Sequence, residues 1–234
     1  NLKYIATMST GFDHIDLKEC KKRNIKISNV PYYGENTVAE HTFALILALS
    51  RKLPESIDKM KRHDFNLKSL RGFDLKGKTL GIVGLGHIGS HVARMAQAFE
   101  MKIIACDPKK DSKLANGLGL RYVDLNYLFR NSDIISLHAP YNEKPHHLIN
   151  KNSINFIKEG AYLINTARGG LVETQALIEG LDKKIIAGAG LDVLEEECFI
   201  KEEKELLSRE FKKRCDLKTI LQNHYLIHDP RVLV

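Results

Sequence analysis

The chain contains one strand-like run that leads directly into a glycine-rich turn, Thr79-Leu80-Gly81-Ile82-Val83-Gly84-Leu85-Gly86-His87-Ile88-Gly89. The run Thr79–Val83 lacks polar alternation, as expected of a strand buried on both faces of a parallel sheet. After the first glycines, apolar residues recur at helical spacing: Ile88, Val92, Met95, Ala96 and Phe99. The stretch therefore predicts a buried strand, a tight turn and an amphipathic helix, in that order.

The same alternation of apolar runs and helix-period segments continues on the C-terminal side. Further strands are predicted at Lys102–Cys106, Asp133–Leu137, Ala161–Asn165 and Ile185–Ala189. Helices are predicted around Leu125–Phe129, Lys151–Ile157 and Glu173–Gly180. Continuous apolar strands separated by helices are typical of an α/β fold with a doubly wound parallel sheet.

The glycine turn has the G-x-G-x-x-G pattern of dinucleotide-binding Rossmann folds. We expect Gly84 to allow the tight turn, Gly86 to let a pyrophosphate approach the backbone, and Gly89 to let helix and strand pack closely. The amides of His87 and Ile88 would face the pyrophosphate, because the N-terminus of a helix presents unpaired N–H groups and a partial positive charge.

Asp107 follows the next predicted strand, about 20 residues beyond the glycines, where dinucleotide folds carry an acidic residue. A carboxylate there accepts hydrogen bonds from the adenosine ribose and repels a 2′-phosphate, which favours NAD over NADP. Lys109 and Lys110 keep NADP open as an alternative, since a nearby cation tolerates that phosphate.

The N-terminal region differs from the rest, and we predict a domain boundary near residue 34. Residues 1–34 would be the C-terminal part of another α/β domain and a hinge, and residues 35–234 the NAD-binding domain. Val38–Leu53 is apolar nearly all round, which predicts a helix buried between domains or subunits and favours a homodimer. Residues 195–218 are rich in both acids and bases and predict a solvated helix. The elements predicted within 1–34 are a strand at Tyr4–Thr7, a helix at Leu17–Arg23 and a strand at Ile25–Val30.

Composition limits the classes of protein to consider. The 234 residues are 43% apolar and 28% charged, enough to bury a core. The longest apolar run, Phe43–Leu49, is far shorter than the roughly 20 residues that cross a bilayer, so no transmembrane helix is expected. The net charge of +7 is spread among acids without an aromatic-basic stripe, which argues against a nucleic-acid partner. Four scattered cysteines favour the cytoplasm over a disulfide framework, and they form no metal-binding pattern.

Five further strings stand in order along the chain besides the glycine turn: Ser9–Asp16, Val30–His41, Ser136–Pro140, Asn165–Gly170 and Gly190–Glu197. Together they resemble the D-isomer-specific 2-hydroxyacid dehydrogenases, most closely the D-lactate dehydrogenase-like branch, over almost the whole chain. The resemblance implies a Rossmann-type NAD-binding domain beside a flavodoxin-like substrate domain, of which residues 1–34 would be a remnant. It also implies NAD as the cofactor and an active site in the cleft between the domains.

The resemblance assigns catalytic roles to Arg168 and Glu197. A guanidinium fork suits the carboxylate of a 2-keto acid and can polarise its neighbouring carbonyl. The glutamate would hydrogen-bond a catalytic histidine and raise its pKa, so that the imidazole donates a proton. Glu195 and Glu196 are rivals for the glutamate, since a register error of one or two residues would select either of them.

The family's catalytic histidine follows a short strand that Arg231–Val234 resembles, so we expect it beyond Val234. His224 and His228 precede that strand and are not assigned a catalytic role. The chain also lacks an initiator methionine, so we expect it to be an excised or processed piece. Because the proton donor and much of the substrate domain would then be absent, we expect this chain to turn over keto acids poorly.

The remaining site residues are also implied by the resemblance. Thr10 and Gly11 would receive the substrate carboxylate on their amides, and Tyr33 would contact the substrate or, alternatively, pack at the hinge. The residues expected to line the cofactor are His138, Ala139, Pro140, Thr166, Ala167 and Asp192, the last of which would bind the nicotinamide carboxamide.

The sequence thus predicts hydride transfer between NAD(H) and a small 2-keto or D-2-hydroxy acid, with pyruvate and D-lactate favoured. Glycerate, phosphoglycerate, formate and phosphite dehydrogenases of the same family are alternatives, because the part of the chain that selects substrates is short. A binding module that senses NAD without turnover is the alternative from another class.

Overall fold

The computed structural model describes residues 2–12, 15–140, 146–196 and 216–234, which form two parallel sheets. The small sheet pairs β1 (Tyr4–Ala6) with β2 (Lys26–Ser28), and helix α1 (Leu17–Lys22) connects them. This β-α-β unit agrees with the elements predicted from the sequence. The assignment of residues 1–34 to a separate domain remains a prediction.

The described strands of the large sheet are β3 (Thr79–Val83), β4 (Lys102–Cys106), β5 (Arg121–Tyr122), β6 (Ile134–Leu137), β7 (Ala161–Asn165), β8 (Ile186–Leu191) and β9 (Val232–Leu233). Their spatial order is β5-β4-β3-β6-β7-β8-β9, and all are parallel. The order reverses between β3 and β6, and open sheets of this kind bind ligands beyond the carboxyl ends of the strands at such a switch point. The predicted doubly wound parallel sheet is confirmed.

Helices cover both faces of the large sheet, which explains why its strands read as continuous apolar runs. The helices are α2 (Glu35–Ser50), α3 (Leu53–Lys61), α4 (His87–Ala98), α5 (Ser112–Gly117), α6 (Leu125–Asn131), α7 (Thr174–Asp182) and α8 (Leu217–His228), with 3-10 turns at Ser153–Phe156 and Gly169–Leu171. On one face of the sheet, α6, α7 and α8 pack into a cluster with Ile135 and Leu163. On the other face, α2, α4 and α5 pack with Ile134 and Ile164.

The surroundings of helix α2 differ from the prediction that it is buried between domains or subunits. Its apolar side, including Phe43 and Ile46, is buried against α4, β7 and β8 of the same chain. On the next helix, three apolar residues are exposed: Leu53 at 47%, Ile57 at 55% and Met60 at 54%. We call these three residues the α3 stripe. None of the described helices is long and apolar enough to cross a membrane.

An ion-paired arginine fixes the approach to the last strand. Arg231 donates through Nε at 2.9 Å to Asp229, whose side chain is 4% exposed, and also contacts Asp182 at the end of α7. The arginine holds the pKa of the Asp229 carboxyl below its usual range by hydrogen bonding. The contact with Asp182 joins the segment before β9 to the end of α7. The predicted helix over residues 195–218 lies almost entirely outside the described residues.

Candidate cofactor and substrate site

The three glycines of the turn meet different surroundings. Gly84 has a φ of 92°, and a Cβ there would lie 2.7 Å from the backbone of His138 and Ala139. A Cβ on Gly89 would lie 2.2 Å from the carbonyl oxygen of Gly84. At Gly86, by contrast, no described atom beyond its two chain neighbours lies within 4 Å of the Cβ position. Two glycines are therefore demanded by the fold itself, whereas Gly86 borders open space that a pyrophosphate can enter.

The first turn of α4 leaves its amides available on that side. Gly86 is the N-cap, and no described side chain caps the helix. The His87 side chain contacts Glu35 and Tyr32, with Nδ1 3.3 Å from Oε1 of Glu35 and its ring 5.2 Å from that of Tyr32. Backbone amides at an uncapped N-terminus are the donors that a dinucleotide pyrophosphate requires, so the site fits that group.

Asp107 is oriented by two backbone amides. Its Oδ2 accepts from the amide of Leu85, inside the glycine turn, and its Oδ1 accepts from the amide of Lys109, both at 2.7 Å. Each carboxylate oxygen has two lone pairs, so both retain one for a ribose hydroxyl. The structure thus places the predicted ribose acceptor against the predicted pyrophosphate turn.

The loop after β6 brings a buried histidine to the same place. His138 Nε2 lies 2.8 Å from Oγ of Ser136, while its Nδ1 is buried without a partner among the described residues. Burial lowers the pKa of His138 from 6.5 to about 4, so the ring is neutral at pH 7. An unsatisfied buried nitrogen is unfavourable, and a bound ligand is one way to satisfy it. Ala139 lies against Gly84, and Pro140 is exposed.

The turn that follows β7 carries Arg168, and a buried asparagine fixes it. Asn165 is 1% exposed. Its Nδ2 donates to the carbonyl of Arg168 at 2.9 Å, and its Oδ1 accepts from the amide of Ala167 at 3.1 Å. Arg168 is half-buried and its Nη1 donates to the carbonyl of Ala167 at 2.7 Å. The arginine therefore stands at the carboxyl edge of the sheet, where ligands bind.

Helix α2 contacts the ends of β7 and β8 through polar pairs. Asp192 Oδ1 lies 3.4 Å from Nε2 of His41, and both side chains are 46% exposed. The hydroxyls of Thr42 and Thr166 are 2.9 Å apart and buried. The predicted cofactor residues Asp192 and Thr166 thus contact helix α2 through His41 and Thr42.

Glu195 and Glu196, the two rivals for the catalytic glutamate, have different hydrogen-bond partners in the structure. The Glu195 carboxylate accepts hydrogen bonds from His147 and Thr174, and Glu196 accepts from the amide of Asp216 at 3.1 Å. Both rivals are therefore engaged within the fold. Glu197 lies outside the described residues, so its catalytic role remains a prediction.

This geometry can be compared with known proteins. The sequence model of the D-isomer specific 2-hydroxyacid dehydrogenase NAD-binding domain matches residues 43–233. The chain belongs to this family. Its similarity to the solved D-lactate dehydrogenase of Aquifex aeolicus, in complex with NAD and lactic acid, has a TM-score of 0.88 at 40% identity and covers 99% of this chain and 68% of that one. The predicted family, fold class and cofactor, NAD, are confirmed.

Curated relatives extend the comparison across several activities. The hydroxypyruvate reductase of Thermotoga maritima is 44% identical over 197 residues, covering 84% of this chain and 63% of the relative. The D-lactate dehydrogenase of Escherichia coli is 39% identical over 196 residues, covering 84% and 60%. The chain thus spans about three fifths of the length of these dehydrogenases.

The predicted substrate residues lie in the loops that follow the two strands of the small sheet. Thr10 donates from Oγ1 to the carbonyl of Val30 at 3.2 Å, and the carbonyl of Gly11 accepts from Ser9 at 2.7 Å. Tyr33 is 63% exposed. None of the described hydrogen bonds joins these three residues to Arg168, so their roles remain predictions.

Sequence reasoning missed four residues that hold the site together: Asn165, His41, Glu35 and His147. Asn165, His41 and Glu35 belong to strings that carried the family resemblance, but spacing alone gave none of them a partner. Glu35 and His147 bond to residues far along the chain, which no local pattern indicates. The only available signal was their polar chemistry beside predicted site residues.

Proposed function

We propose that the protein that carries this chain reduces a small 2-keto acid to a D-2-hydroxy acid with NADH, with pyruvate and D-lactate as the favoured pair. The observation that carries the proposal is Arg168, held by Asn165 at the edge of the sheet that also presents the glycine turn. Relatives named D-lactate dehydrogenase, hydroxypyruvate reductase and glyoxylate reductase share this class of substrate but not one acid.

The cofactor, when bound, supplies the hydride, and the chain's own residues hold it. The amides of Gly86, His87 and Ile88 would bind the pyrophosphate, and Asp107 the adenosine ribose. Asp192 would bind the nicotinamide carboxamide. The Asp107 carboxylate disfavours a 2′-phosphate, which supports NAD over NADP.

Arg168 would bind the substrate carboxylate and polarise its keto group. Its fixed fork gives two parallel hydrogen bonds to a carboxylate, and its charge stabilises the alkoxide as it develops. The amides of Thr10 and Gly11 and the Tyr33 side chain would contact the substrate from the other domain. Glu197 would orient the histidine that donates the proton to the alkoxide oxygen.

The domain division, the dimer and the location complete the proposal. Residues 1–34 would belong to the substrate domain and residues 35–234 to the NAD-binding domain. A homodimer would form through the α3 stripe rather than through α2, because α2 is covered within the chain. Free thiols at Cys20 and Cys106 agree with the cytoplasm as the location.

A substrate panel tests the proposed reaction. NADH oxidation is followed with pyruvate, hydroxypyruvate and glyoxylate for the wild type, for Arg168→Lys and for the matched control Arg94→Lys on the exposed side of α4. We expect turnover with at least one acid and a loss of about 100-fold in kcat/KM for Arg168→Lys, since lysine lacks the planar fork. Arg94→Lys should behave as the wild type. Tight NADH binding without turnover of any acid would support the NAD-sensing alternative instead.

A further inference from the structure

A partly buried hydrogen-bonded pair lies against the Arg168 turn and is not used by the proposed reaction. His147 Nε2 is 2.5 Å from Oε1 of Glu195, with side chains 29% and 16% exposed. The two residues come from different loops, one before the 3-10 turn at Ser153–Phe156 and one after β8. We call them the His147–Glu195 pair.

The Glu195 carboxylate accepts three hydrogen bonds from donors of the fold. Its Oε2 accepts from the amide of Thr174 at 3.0 Å and from the Thr174 hydroxyl at 2.8 Å, and Oε1 takes His147. Burial pushes the pKa of Glu195 up, but the hydrogen bonds from His147 and Thr174 outweigh it and hold the pKa below its usual range. The ionised carboxylate therefore joins the first turn of α7 to His147.

The backbone around the pair encloses the Arg168 turn. The His147 amide donates to the carbonyl of Gly170 at 2.9 Å. A Cβ on Gly169 would lie only 1.9 Å from the carbonyl oxygen of Leu194, so the turn and the loop of Glu195 are in direct backbone contact. Gly170, His147, Glu195, Leu194 and Gly169 thus form a closed ring of contacts beside Arg168.

We propose that the His147–Glu195 pair is a positioning device that fixes the Arg168 turn, and with it the guanidinium that binds the substrate. The inference rests on the proposed function of Arg168. Asn165 fixes the turn on its strand side, and the pair fixes it on the side of the next loop. Glu195 and His147 are positioning residues, because they act on the substrate only through Arg168. A displacement of about 1 Å in a substrate-binding group can lower the reaction rate about 100-fold. Fixing the Arg168 turn would therefore protect the rate of the reaction.

Four variants separate positioning from simple stability. Glu195→Gln removes the charge, and His147→Ala removes the donor. His147→Gln restores a donor that can reach Glu195. Glu179→Gln is the matched control, since Glu179 lies on α7 but pairs with Lys183 near the surface at 3.7 Å.

Backbone hydrogen exchange reports the turn without any turnover. The amides of Leu171 and Val172 bond to the carbonyls of Arg168 and Gly169 at 3.2 Å and 3.0 Å. We expect both to exchange at least about tenfold faster in Glu195→Gln and His147→Ala, because the turn opens locally when its support is lost. His147→Gln and Glu179→Gln should exchange as the wild type does. Unchanged exchange in Glu195→Gln and His147→Ala would overturn the proposal.

Kinetics of the protein that carries this chain give the second measurement. We expect KM for the 2-keto acid to rise about tenfold in Glu195→Gln and His147→Ala while Kd for NADH stays within about twofold, since Arg168 binds substrate and not cofactor. His147→Gln should recover KM. A lower Tm with KM unchanged would make the pair merely structural and contradict the proposal. If the wild type binds NADH but reduces no 2-keto acid, the proposed function fails, and the exchange rates alone decide whether the pair holds the turn.

Discussion

The Leu85 amide donates a 2.7 Å hydrogen bond to the Asp107 carboxylate, which joins the glycine turn after β3 to the end of β4. Two groups predicted to hold adjacent parts of an adenine dinucleotide, its pyrophosphate and its adenosine ribose, are therefore in direct contact. Cofactor binding and the shape of the turn should depend on the same carboxylate.

Asp107→Ala is expected to weaken NADH binding by about 10- to 150-fold and to narrow the preference for NAD over NADP. The loss follows from removing a charged acceptor of ribose hydroxyls, a contact of about 1.5–3 kcal/mol. Titration of NADH and NADPH by cofactor fluorescence measures both constants. Asp74→Ala, which removes an exposed partner of Arg51, is the control and should change neither. Wild-type binding of NADPH as tight as that of NADH would refute the cofactor preference.

Gly86→Val should abolish NADH binding with little loss of stability. No described atom lies near the Cβ position of Gly86, so the side chain enters the space reserved for the pyrophosphate. Gly117→Val on α5 is the control, because its Cβ position is equally open and far from the turn. Calorimetry of NADH and thermal unfolding are measured together. Retained NADH affinity in Gly86→Val would show that the pyrophosphate binds elsewhere.

The buried His138 predicts a pH dependence of stability. Its pKa is lowered from 6.5 to about 4 by burial, so the unfolded chain binds the proton more readily than the folded one. The stabilisation is complete above about pH 6.5 and is lost as the pH falls to about 4, by at most about 3 kcal/mol.

Denaturant unfolding between pH 7 and pH 4.5 tests this dependence. His138→Asn should flatten the loss of stability over that range. His63→Asn, which replaces an exposed histidine in a left-handed conformation, should keep the wild-type slope. Equal slopes for the wild type and His138→Asn would mean that His138 is not buried in its neutral form.

The α3 stripe predicts where the homodimer forms. Ile57→Lys should convert a dimer into a monomer at micromolar concentration, because a charge replaces an apolar residue that a partner would bury. Light scattering after size exclusion measures the mass. Leu221→Lys on α8 is the control, since Leu221 is 70% exposed but lies outside the stripe. A wild-type monomer would contradict the dimer.

How far the sequence predicts this protein depends on the range of each interaction. The strand Thr79–Val83 and the helix after it were predicted almost to the residue, because buried runs and helical spacing are local signals. Short elements such as α5 and β5 were missed, since neither contains a full apolar run. The predicted helix at Lys151–Ile157 is only a 3-10 turn at Ser153–Phe156.

For the site residues, too, predictability from the sequence depends on the range of each interaction. The sequence predicts the glycine turn and Asp107 as cofactor residues because their spacing reflects the shape of the ligand. The contacts of Glu195 with His147 and of Asp192 with His41 join distant parts of the chain, and only the fold brings them together. Sequence alone therefore left Glu195 as a rival for the catalytic glutamate, whereas the structure gives its carboxylate three donors from the fold.

The most direct measurement is a crystal structure of this chain soaked with NAD and oxamate, a carboxylate that resembles a 2-keto acid. We predict pyrophosphate density against the amides of His87 and Ile88, a ribose on Asp107, and oxamate paired with the Arg168 guanidinium. NAD bound away from the glycine turn, or oxamate bound without Arg168, would contradict the proposed site.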